Sequence, residues 1–303
     1  MSARRAAVTV RVPAKVNVQL AVGAARPDGF HDLANVFLAV SLFDEVTAAP
    51  ADTLSITCEG PDADQVPLDR TNLAARAAEI LAARAGIEPD VHLHIAKNIP
   101  VAGGMAGGSA DGAAALLACD ALWGLNTPRA ELLDICAELG SDVPFSLVGG
   151  AALGTGRGEL LTPVGAGTFH WVFAVADGGL STPAVFREFD RLTAGTPVPA
   201  PEASPALLAA LASGDPDALG AVLANDLQAA ALSLRPQLAR TLAAGVDGGA
   251  LAALVSGSGP TTAFLVADEE TAAKVAAALE ASGTCRATRI ASSPAAGATV
   301  LPS

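Results

Sequence analysis

The sequence is poor in positive charge. Of its 303 residues, 18 are lysine or arginine and 31 are aspartate or glutamate, which gives a formal net charge of -13 at pH 7. Binding of DNA or RNA without sequence preference depends on basic side chains that neutralise phosphates, so we expect no nucleic-acid partner. A phosphorylated small molecule is still compatible, because backbone N–H groups and one or two lysines can bind phosphate locally.

Cysteine is scarce as well. The four cysteines are far apart and form no Cys-x-x-Cys pair. We therefore expect reduced thiols in a cytoplasmic protein. No cluster of histidines and cysteines indicates a structural zinc site. The cysteines are Cys58, Cys119, Cys136 and Cys285.

No apolar run is long enough to span a membrane. Two arginines near the N-terminus are followed by the alternating stretch Val8–Val12, which is not the apolar region of a signal peptide. The sequence thus predicts a cytoplasmic protein without a membrane partner. Hydrophobic residues make up 51% and charged residues 16%, which is typical of a folded chain with a sizeable core.

Strand-like and helix-like patterns mix along the whole chain, which predicts an α+β or α/β protein in two halves. Residues 72–85 have a helical pattern that Thr71 or Asn72 can cap and Gly86 can end. A second helix is expected to start with Thr127 as its N-cap and Pro128 in its first turn. Clustered glycines at 149–158 place a domain boundary just after them, so we predict domains at 1–160 and 161–303.

A glycine-rich loop between a predicted strand and a predicted helix is the main functional signal. Glycine lets the backbone approach a ligand, and the helix N-terminus adds a positive dipole end, so the loop suits phosphate. A Walker A loop would need a lysine after Gly108, and the loop does not match G-x-G-x-x-G; the remaining alternative is a flexible turn. Its residues are Pro100, Val101, Ala102, Gly103, Gly104, Met105, Ala106, Gly107, Gly108, Ser109 and Ala110.

Three motifs together resemble those of the GHMP kinases. The glycine loop resembles the central motif, Pro13–Asn17 (PAKVN) the N-terminal one, and Val255–Pro260 (VSGSGP) the C-terminal one. The resemblance implies an α+β, two-domain fold. Its N-terminal domain is expected to contain a left-handed βαβ unit, and its C-terminal domain to be ferredoxin-like. It also implies ATP and Mg²⁺ as cofactors.

Four shorter strings resemble one branch of this family, which phosphorylates the 2-hydroxyl of a methylerythritol linked through a diphosphate to cytidine. The strings are Pro13–Asn17, Asp28–His31 (DGFH), Asn72–Leu73, and Gly140–Phe145 (GSDVPF). The resemblance implies a small-molecule partner of the cytidine diphosphate type. A monomer or a weak homodimer is expected.

The residue roles follow from that resemblance. Asp142 is expected to be the general base and Lys15 to hold its carboxylate ionised and polarise the substrate hydroxyl. An N-cap role for Asp142 and an exposed strand-end lysine are the simpler alternatives. Asn72, Leu73 and Lys97 are expected on the adenine side, although helix capping explains Asn72 equally well. Substrate contacts are expected from Asn17, Phe30, His31, Phe186, Ser256 and Gly257.

Two positions depart from the family pattern. Phe30 stands where a tyrosine is usual, so the ring is kept and the hydroxyl lost, and the loop ends in Ser109-Ala110 where Ser-Ser is usual. Neither change removes a group that the chemistry needs. A homoserine- or mevalonate-type kinase is the alternative enzyme, and a catalytically inactive nucleotide-binding regulator is the alternative of another class.

Overall fold

A computed structural model describes residues 6–302, which form two β-sheets and the helices packed on them. The larger sheet has eight strands, of which five follow the order β12-β1-β2-β4-β3, with β5 beside β2, β6 beside β5, and β8 beside β1. Its strands are β1 (Val8–Ala25), β2 (His31–Pro50), β3 (Ser55–Glu59), β4 (Val91–Ala96), β5 (Ala151–Thr155), β6 (Leu160–Pro163), β8 (Ala224–Asn225) and β12 (Thr299–Val300).

Strands β1 and β2 form a long antiparallel hairpin that carries the N-terminal motif. The alternating stretch Val8–Val12 is the first part of the longer strand β1. The pairing with β2 shifts register between Pro13 and Ala14 and again between Asn17 and Gln19. An X-Pro step inside a strand needs such an irregularity because proline cannot donate to the ladder. The shifts flank Lys15 and thereby place it in the hairpin's centre.

The smaller sheet is antiparallel, with the order β11-β7-β10-β9. Numbered within the second half of the chain, this is the order 4-1-3-2 of a βαββαβ unit, so the ferredoxin-like expectation is confirmed. Its strands are β7 (Phe169–Val175), β9 (Ala252–Val255), β10 (Thr262–Val266) and β11 (Ala287–Ser293). In the larger sheet, β3 and β4 are parallel neighbours joined through a helix.

Ten helices, by chain order, connect the strands within the described range. Helix α1 begins after Asn72, whose side chain accepts a hydrogen bond from the Ala74 N–H, and ends at Gly86 in the left-handed region. The helices are α1 (Leu73–Ala85), α2 (Gly107–Trp123), α3 (Arg129–Leu139), α4 (Val143–Val148), α5 (Thr182–Thr193), α6 (Pro205–Ser213), α7 (Pro216–Gly220), α8 (Gln228–Leu234), α9 (Leu238–Asp247) and α10 (Glu269–Ser282).

The predicted start of helix α3 was wrong by one residue. Pro128 has an extended backbone with ψ 140° and lies before the helix, and it makes no side-chain cap. The Thr127 N–H instead donates to the Asp120 carboxylate at 3.0 Å. The threonine therefore serves the preceding turn, and the helix begins at Arg129.

The two halves of the chain share one large core. Strand β6 extends the first sheet to Pro163, and β8 and β12 return from the second half to pair with β1. The same hydrophobic cluster includes Val16 and Leu116 from the first half and Trp171, Leu211 and Leu265 from the second. A division at 160 and 161 stays a proposal, because the sheets cross that point.

Candidate active site between the two halves

The glycine loop connects strand β4 to helix α2, as its sequence predicts. Ala106 is the N-cap of α2 in the left-handed region, and it has no side chain that could accept from the first N–H groups. Serine, threonine or aspartate usually fills this position. Without such a cap, the first N–H groups of a 17-residue helix are left for an anion.

A cavity of about 840 Å³ opens beside this loop and takes its walls from both halves of the chain. It is large enough for a drug-sized ligand. Fifteen of the predicted residues line it: Lys15, Asn17, Phe30, His31, Leu73, Ala102, Gly103, Gly104, Ala106, Gly107, Gly108, Ser109, Asp142, Phe186 and Gly257.

Lys15 lies at the centre of the cavity's polar wall. Its Nζ donates to Asn17 Oδ1 at 2.6 Å and to the Gly104 carbonyl at 2.9 Å, and it lies 3.7 Å from Asp142 Oδ2. The lysine side chain is 6% exposed and that of Asp142 is 33% exposed. The pair thus presents a carboxylate to the cavity with an ammonium fixed behind it.

Burial lowers the pKa of Lys15, and the neighbouring Asp142 carboxylate offsets only part of that shift. An ammonium without water around it is held by few partners, so each of them matters for its charge. Asn17 completes the arrangement, since its Nδ2 donates to Asn35 Oδ1 at 2.6 Å and this fixes the orientation of its oxygen towards Lys15. The Lys15 ammonium and the amides of Asn17 and Asn35 are therefore joined in one series of hydrogen bonds.

The C-terminal motif, Val255–Pro260, also lies close to Lys15. A Cβ at Gly257 would lie 3.2 Å from Lys15 Nζ and 3.1 Å from Asn17 Oδ1 and would crowd both groups, and the φ of +56° also favours glycine there. Asn225 holds the turn by donating to the carbonyls of Val255 and Gly257 at 2.7 and 2.8 Å. The Ser256 hydroxyl donates to the Gly104 carbonyl at 3.2 Å and joins this turn to the glycine loop.

Aromatic rings form a further part of the cavity lining. The rings of His31 and Phe186 are 4.9 Å apart, and His31 also meets Phe189 edge-on at 6.1 Å. His31 Nε2 is 2.8 Å from Asp190 Oδ1. Because a carboxylate accepts, Nε2 carries the proton in this pair. The arrangement leaves flat faces and a fixed imidazole for a planar ligand.

Phe30 also lines the cavity and is half exposed. The guanidinium of Arg157 lies 5.2 Å from its ring centroid. A cation over a ring face is a favourable contact that tyrosine and phenylalanine share. The lost hydroxyl therefore leaves the support of the ring unchanged.

Seven predicted residues do not line this cavity: Pro100, Val101, Met105, Ala110, Asn72, Lys97 and Ser256. Met105, Ala110 and Ser256 are fully buried and pack beneath the loop. Asn72 uses its side chain on backbone groups, accepting from Ala74 N and donating to the Pro67 carbonyl. The capping role is therefore present, and an adenine contact by Asn72 stays a prediction.

The Lys97 side chain does not line this cavity. It is 2% exposed, and its Nζ lies 2.5 Å from Asp44 Oδ2 and 2.7 Å from Asp111 Oδ2. An adenine contact by this residue stays a prediction. The two buried carboxylates hold the ammonium below the loop.

Four residues that line the cavity were not predicted from the sequence. Asn35, Arg157, Arg187 and Asp190 all line the cavity. The sequence does contain a signal for Asp190, because it lies four residues after Phe186 and thus on the same face of α5. Asn35 lies in β2, Arg157 in the turn between β5 and β6, and Arg187 in α5, and no sequence signal singles them out.

Comparison with known proteins agrees with the motifs. Residues 72–150 match the GHMP kinases N terminal domain and residues 207–285 match the GHMP kinases C terminal domain. The fold is shared with a homoserine kinase from Cytophaga hutchinsonii at TM-score 0.74 and 21% identity, over 99% of both chains. The chain belongs to the GHMP kinases, and it is an ATP-dependent small-molecule kinase.

Closer relatives define the branch. The chain is 77% identical over 295 residues to a 4-diphosphocytidyl-2-C-methyl-D-erythritol kinase of Streptomyces avermitilis, covering 97% of this chain and 99% of the relative. It is 75% identical to the Streptomyces coelicolor enzyme of that name, with coverage of 97% and 99%. A crystal structure of 4-(cytidine 5'-diphospho)-2C-methyl-D-erythritol kinase superposes at TM-score 0.76 with 31% identity, over 94% of this chain and 99% of that one. Within the GHMP kinases, the chain belongs to the 4-diphosphocytidyl-2-C-methyl-D-erythritol kinase family.

None of the helices in residues 6–302 is both long and apolar enough to cross a bilayer.

Proposed function

We propose that this kinase transfers the γ-phosphate of ATP to the 2-hydroxyl of 4-diphosphocytidyl-2-C-methyl-D-erythritol, a step in non-mevalonate isoprenoid precursor biosynthesis. One observation carries the proposal. The Lys15–Asp142 pair, the uncapped N-terminus of α2 and the His31–Phe186 rings all line a single cavity. The names of the relatives supply the substrate that fits such a cavity.

The proposed chemistry needs few protein groups. Asp142 accepts the proton of the attacking hydroxyl, whose oxygen forms a bond to the γ-phosphorus while the bond from that phosphorus to the β–γ bridging oxygen breaks and ADP leaves. Lys15 stabilises the negative charge that develops on the transferred group. Phosphoryl transfer depends mainly on positioning and charge stabilisation, and the glycine loop supplies the positioning.

Mg²⁺ is proposed as the metal that accompanies ATP. Residues 6–302 contain no group of three or more His, Cys, Asp or Glu side chains that could hold a metal. This fits Mg²⁺, which keeps waters and is held largely by substrate phosphates with one or two protein oxygens. The Ser109 hydroxyl lines the cavity and would supply such an oxygen. When bound, the ion neutralises charge on the phosphates.

The substrate assignment is tested by ADP release with the cytidyl compound, homoserine and mevalonate as competing acceptors. We expect turnover with the cytidyl compound alone, since the His31–Phe186 end of the cavity matches a nucleobase. Turnover with homoserine or mevalonate and none with the cytidyl compound would contradict the assignment. Direct calorimetry of ATP binding separates a failed substrate assignment from an inactive preparation.

The catalytic pair is tested by substitution. Asp142→Asn should lower kcat by about 10²–10⁴-fold because the base is lost, and Lys15→Ala by about 10²–10³-fold because charge stabilisation is lost. Both variants should bind ATP with nearly unchanged Kd. Asp134→Asn, which removes a carboxylate from the exposed side of α3, is the matched control and should keep full kcat. Near-normal kcat in both site variants would rule out the assigned roles.

A cytoplasmic location, a monomer or weak homodimer, and the absence of a nucleic-acid partner complete the proposal. The acidic composition supports the absence of a nucleic-acid partner.

A further inference from the structure

A buried ionic cluster lies directly beneath the glycine loop. It consists of Lys97, Asp44 and Asp111, which are 2%, 0% and 2% exposed. Lys97 follows strand β4, Asp44 lies in β2, and Asp111 lies at the start of α2, so three elements meet at one ammonium. The chemistry proposed above uses none of these side chains.

Asp44 fixes the chain where it enters the loop. Its Oδ2 binds Lys97 Nζ, and its Oδ1 accepts from the backbone N–H groups of Asn98 and Ile99 at 2.6 and 2.8 Å. One carboxylate therefore holds the three residues that precede Pro100. Charge-assisted hydrogen bonds of this kind are the stronger ones and fix geometry well.

Asp111 fixes the chain where it leaves the loop. Its Oδ2 accepts from Lys97 Nζ at 2.7 Å. The same Nζ lies 2.9 Å from the place that a Cβ at Gly107 would take, so the ammonium touches the first residue of α2 from below. Lys97 thus ties the two ends of the loop together.

The third member of the cluster carries its charge at a cost, because it is buried. Burial raises the pKa of the Asp111 carboxyl above its ordinary value of 3.8, although Lys97 opposes that shift. A carboxyl whose folded-state pKa is raised binds more protons in the folded than in the unfolded chain, so its ionisation costs stability above pH 3.8. Its Oδ1 is also buried without a hydrogen-bond partner among the described residues. Features that violate a packing rule concentrate at functional sites.

We propose that Lys97, Asp44 and Asp111 are positioning residues, which hold the two ends of the glycine loop at a fixed separation and so aim the N–H groups of the α2 N-terminus at the phosphates of ATP. Lys97 acts through the loop and does not contact the nucleotide. The inference rests on the proposed role of the loop in phosphate binding. It does not depend on which acceptor molecule is phosphorylated.

The discriminating variant is Asp111→Ala, because it releases α2 and leaves Lys97 and Asp44 as a balanced pair. We expect the Kd of Mg·ATP, measured by calorimetry, to rise about 10-fold or more, since small displacements of positioning groups have effects of this size. The midpoint of thermal unfolding should stay equal or increase. Asp111→Asn should restore most of the affinity because its amide oxygen can still accept from Lys97.

Asp120→Ala is the matched control on the same helix. Asp120 is 9% exposed and accepts from the Thr127 N–H, far along α2 from the loop. We expect a lower thermal midpoint and an unchanged Kd for Mg·ATP. The two alanine variants thus predict opposite patterns of affinity and stability.

The role of Lys97 is tested by a double-mutant cycle on ATP affinity. Lys97→Met in the Asp111→Ala background should add little to the loss, because both changes release the same end of the loop. Additive losses would mean that Lys97 binds the nucleotide itself, and the proposal would be wrong. It would equally be overturned if Asp111→Ala kept the wild-type Kd, or if its affinity and thermal midpoint fell together.

The proposed function and this inference fail in different ways. A wild-type protein that binds ATP but does not phosphorylate the cytidyl compound contradicts the substrate assignment alone. A wild-type protein with the expected turnover and an Asp111→Ala variant with unchanged ATP affinity contradicts the positioning role alone.

Discussion

At the scale of single residues, Lys15 shows how burial shapes the site. Its ammonium has two hydrogen-bond acceptors and one nearby carboxylate, and its side chain is 6% exposed. Burial lowers its pKa below the ordinary 10.5 in spite of Asp142. The group is therefore charged at a cost, which suits a cation that has to respond to charge developing on a transferred phosphate.

This lowered pKa predicts a pH dependence of stability. Between the folded-state pKa of Lys15 and 10.5, the unfolded chain binds more protons than the folded one, so stability contributed at this position rises with pH. Wild type should gain stability relative to Lys15→Met as pH approaches 10.5. Urea unfolding of both proteins at pH 7.5 and pH 10 measures the difference. A difference that stays constant or shrinks would contradict the lowered pKa.

Phe30 permits a second test at this scale. The side chain is 49% exposed at the edge of the cavity, so its removal should leave the unfolding midpoint nearly unchanged. Phe30→Ala should raise KM for the cytidyl substrate by about 10-fold, because a stacking aromatic contributes roughly 1–3 kcal/mol per base. KM for ATP should not change. Phe30→Tyr is the control and should keep both KM values within about 3-fold, because the ring and the Arg157 contact remain.

At the scale of elements, the site depends on how closely the glycine loop approaches the turn between β9 and β10. Gly104 has φ +78°, and a Cβ there would lie 2.1 Å from the Ser256 carbonyl oxygen. The Thr261 N–H also donates to the Gly103 carbonyl at 3.3 Å. The loop is thus held in place both by the turn between β9 and β10 and by the cluster of Lys97, Asp44 and Asp111.

Two alanine substitutions in this loop should behave in opposite ways. Gly104→Ala forces a backbone clash at positive φ and should lower the free energy of unfolding by about 2–4 kcal/mol. At Gly108 a Cβ meets nothing within 4 Å, so Gly108→Ala should raise stability by about 0.5–1 kcal/mol through its helix preference. Chemical unfolding measures both. Equal losses of unfolding free energy in the two variants would show that the close approach of Gly104 to the turn does not constrain the loop.

At the scale of the whole molecule, the two halves cannot be separated without breaking a sheet and a core. Strand β12 pairs with β1, and the Leu301 N–H donates to the Thr9 carbonyl at 2.8 Å. Arg286 also joins Asp62 at 2.7 Å across the two halves. The cavity lies between elements that are held together in this way, so its shape depends on the complete chain.

We therefore expect the whole chain to unfold in one cooperative transition, with equal calorimetric and van't Hoff enthalpies. A fragment of residues 1–160 should not fold, because it lacks β8, β12, nearly all of β6 and the second-half members of the shared core. Circular dichroism and amide exchange of the fragment check this. A chain shortened only by residues 302–303 is the control and should fold normally. An independently folded fragment would support the proposed boundary at residue 160.

Much of this architecture could be predicted from short contiguous signals. The Asn72 cap and Gly86 end of α1 are local features, and both stand where the pattern places them. The start of α3 was missed because Thr127 and Pro128 fit a capping pattern, while the Asp120 carboxylate competes for the Thr127 N–H. Asn35 and Arg157 could not be found, since an isolated residue has no local signal and enters the cavity only through strand pairing.

The sequence by itself determined the three motifs and hence the class of enzyme, because residues that bind phosphate must lie in order along one loop and one helix start. Only the tertiary structure decided what supports them. Lys97 stands next to the glycine loop in the sequence, and that position alone favours a ligand contact. Its ammonium instead meets Asp44 and Asp111, which lie 53 and 14 residues away along the chain. Burial made this pairing necessary, because a charge removed from water has to be compensated by charges that the fold brings to it.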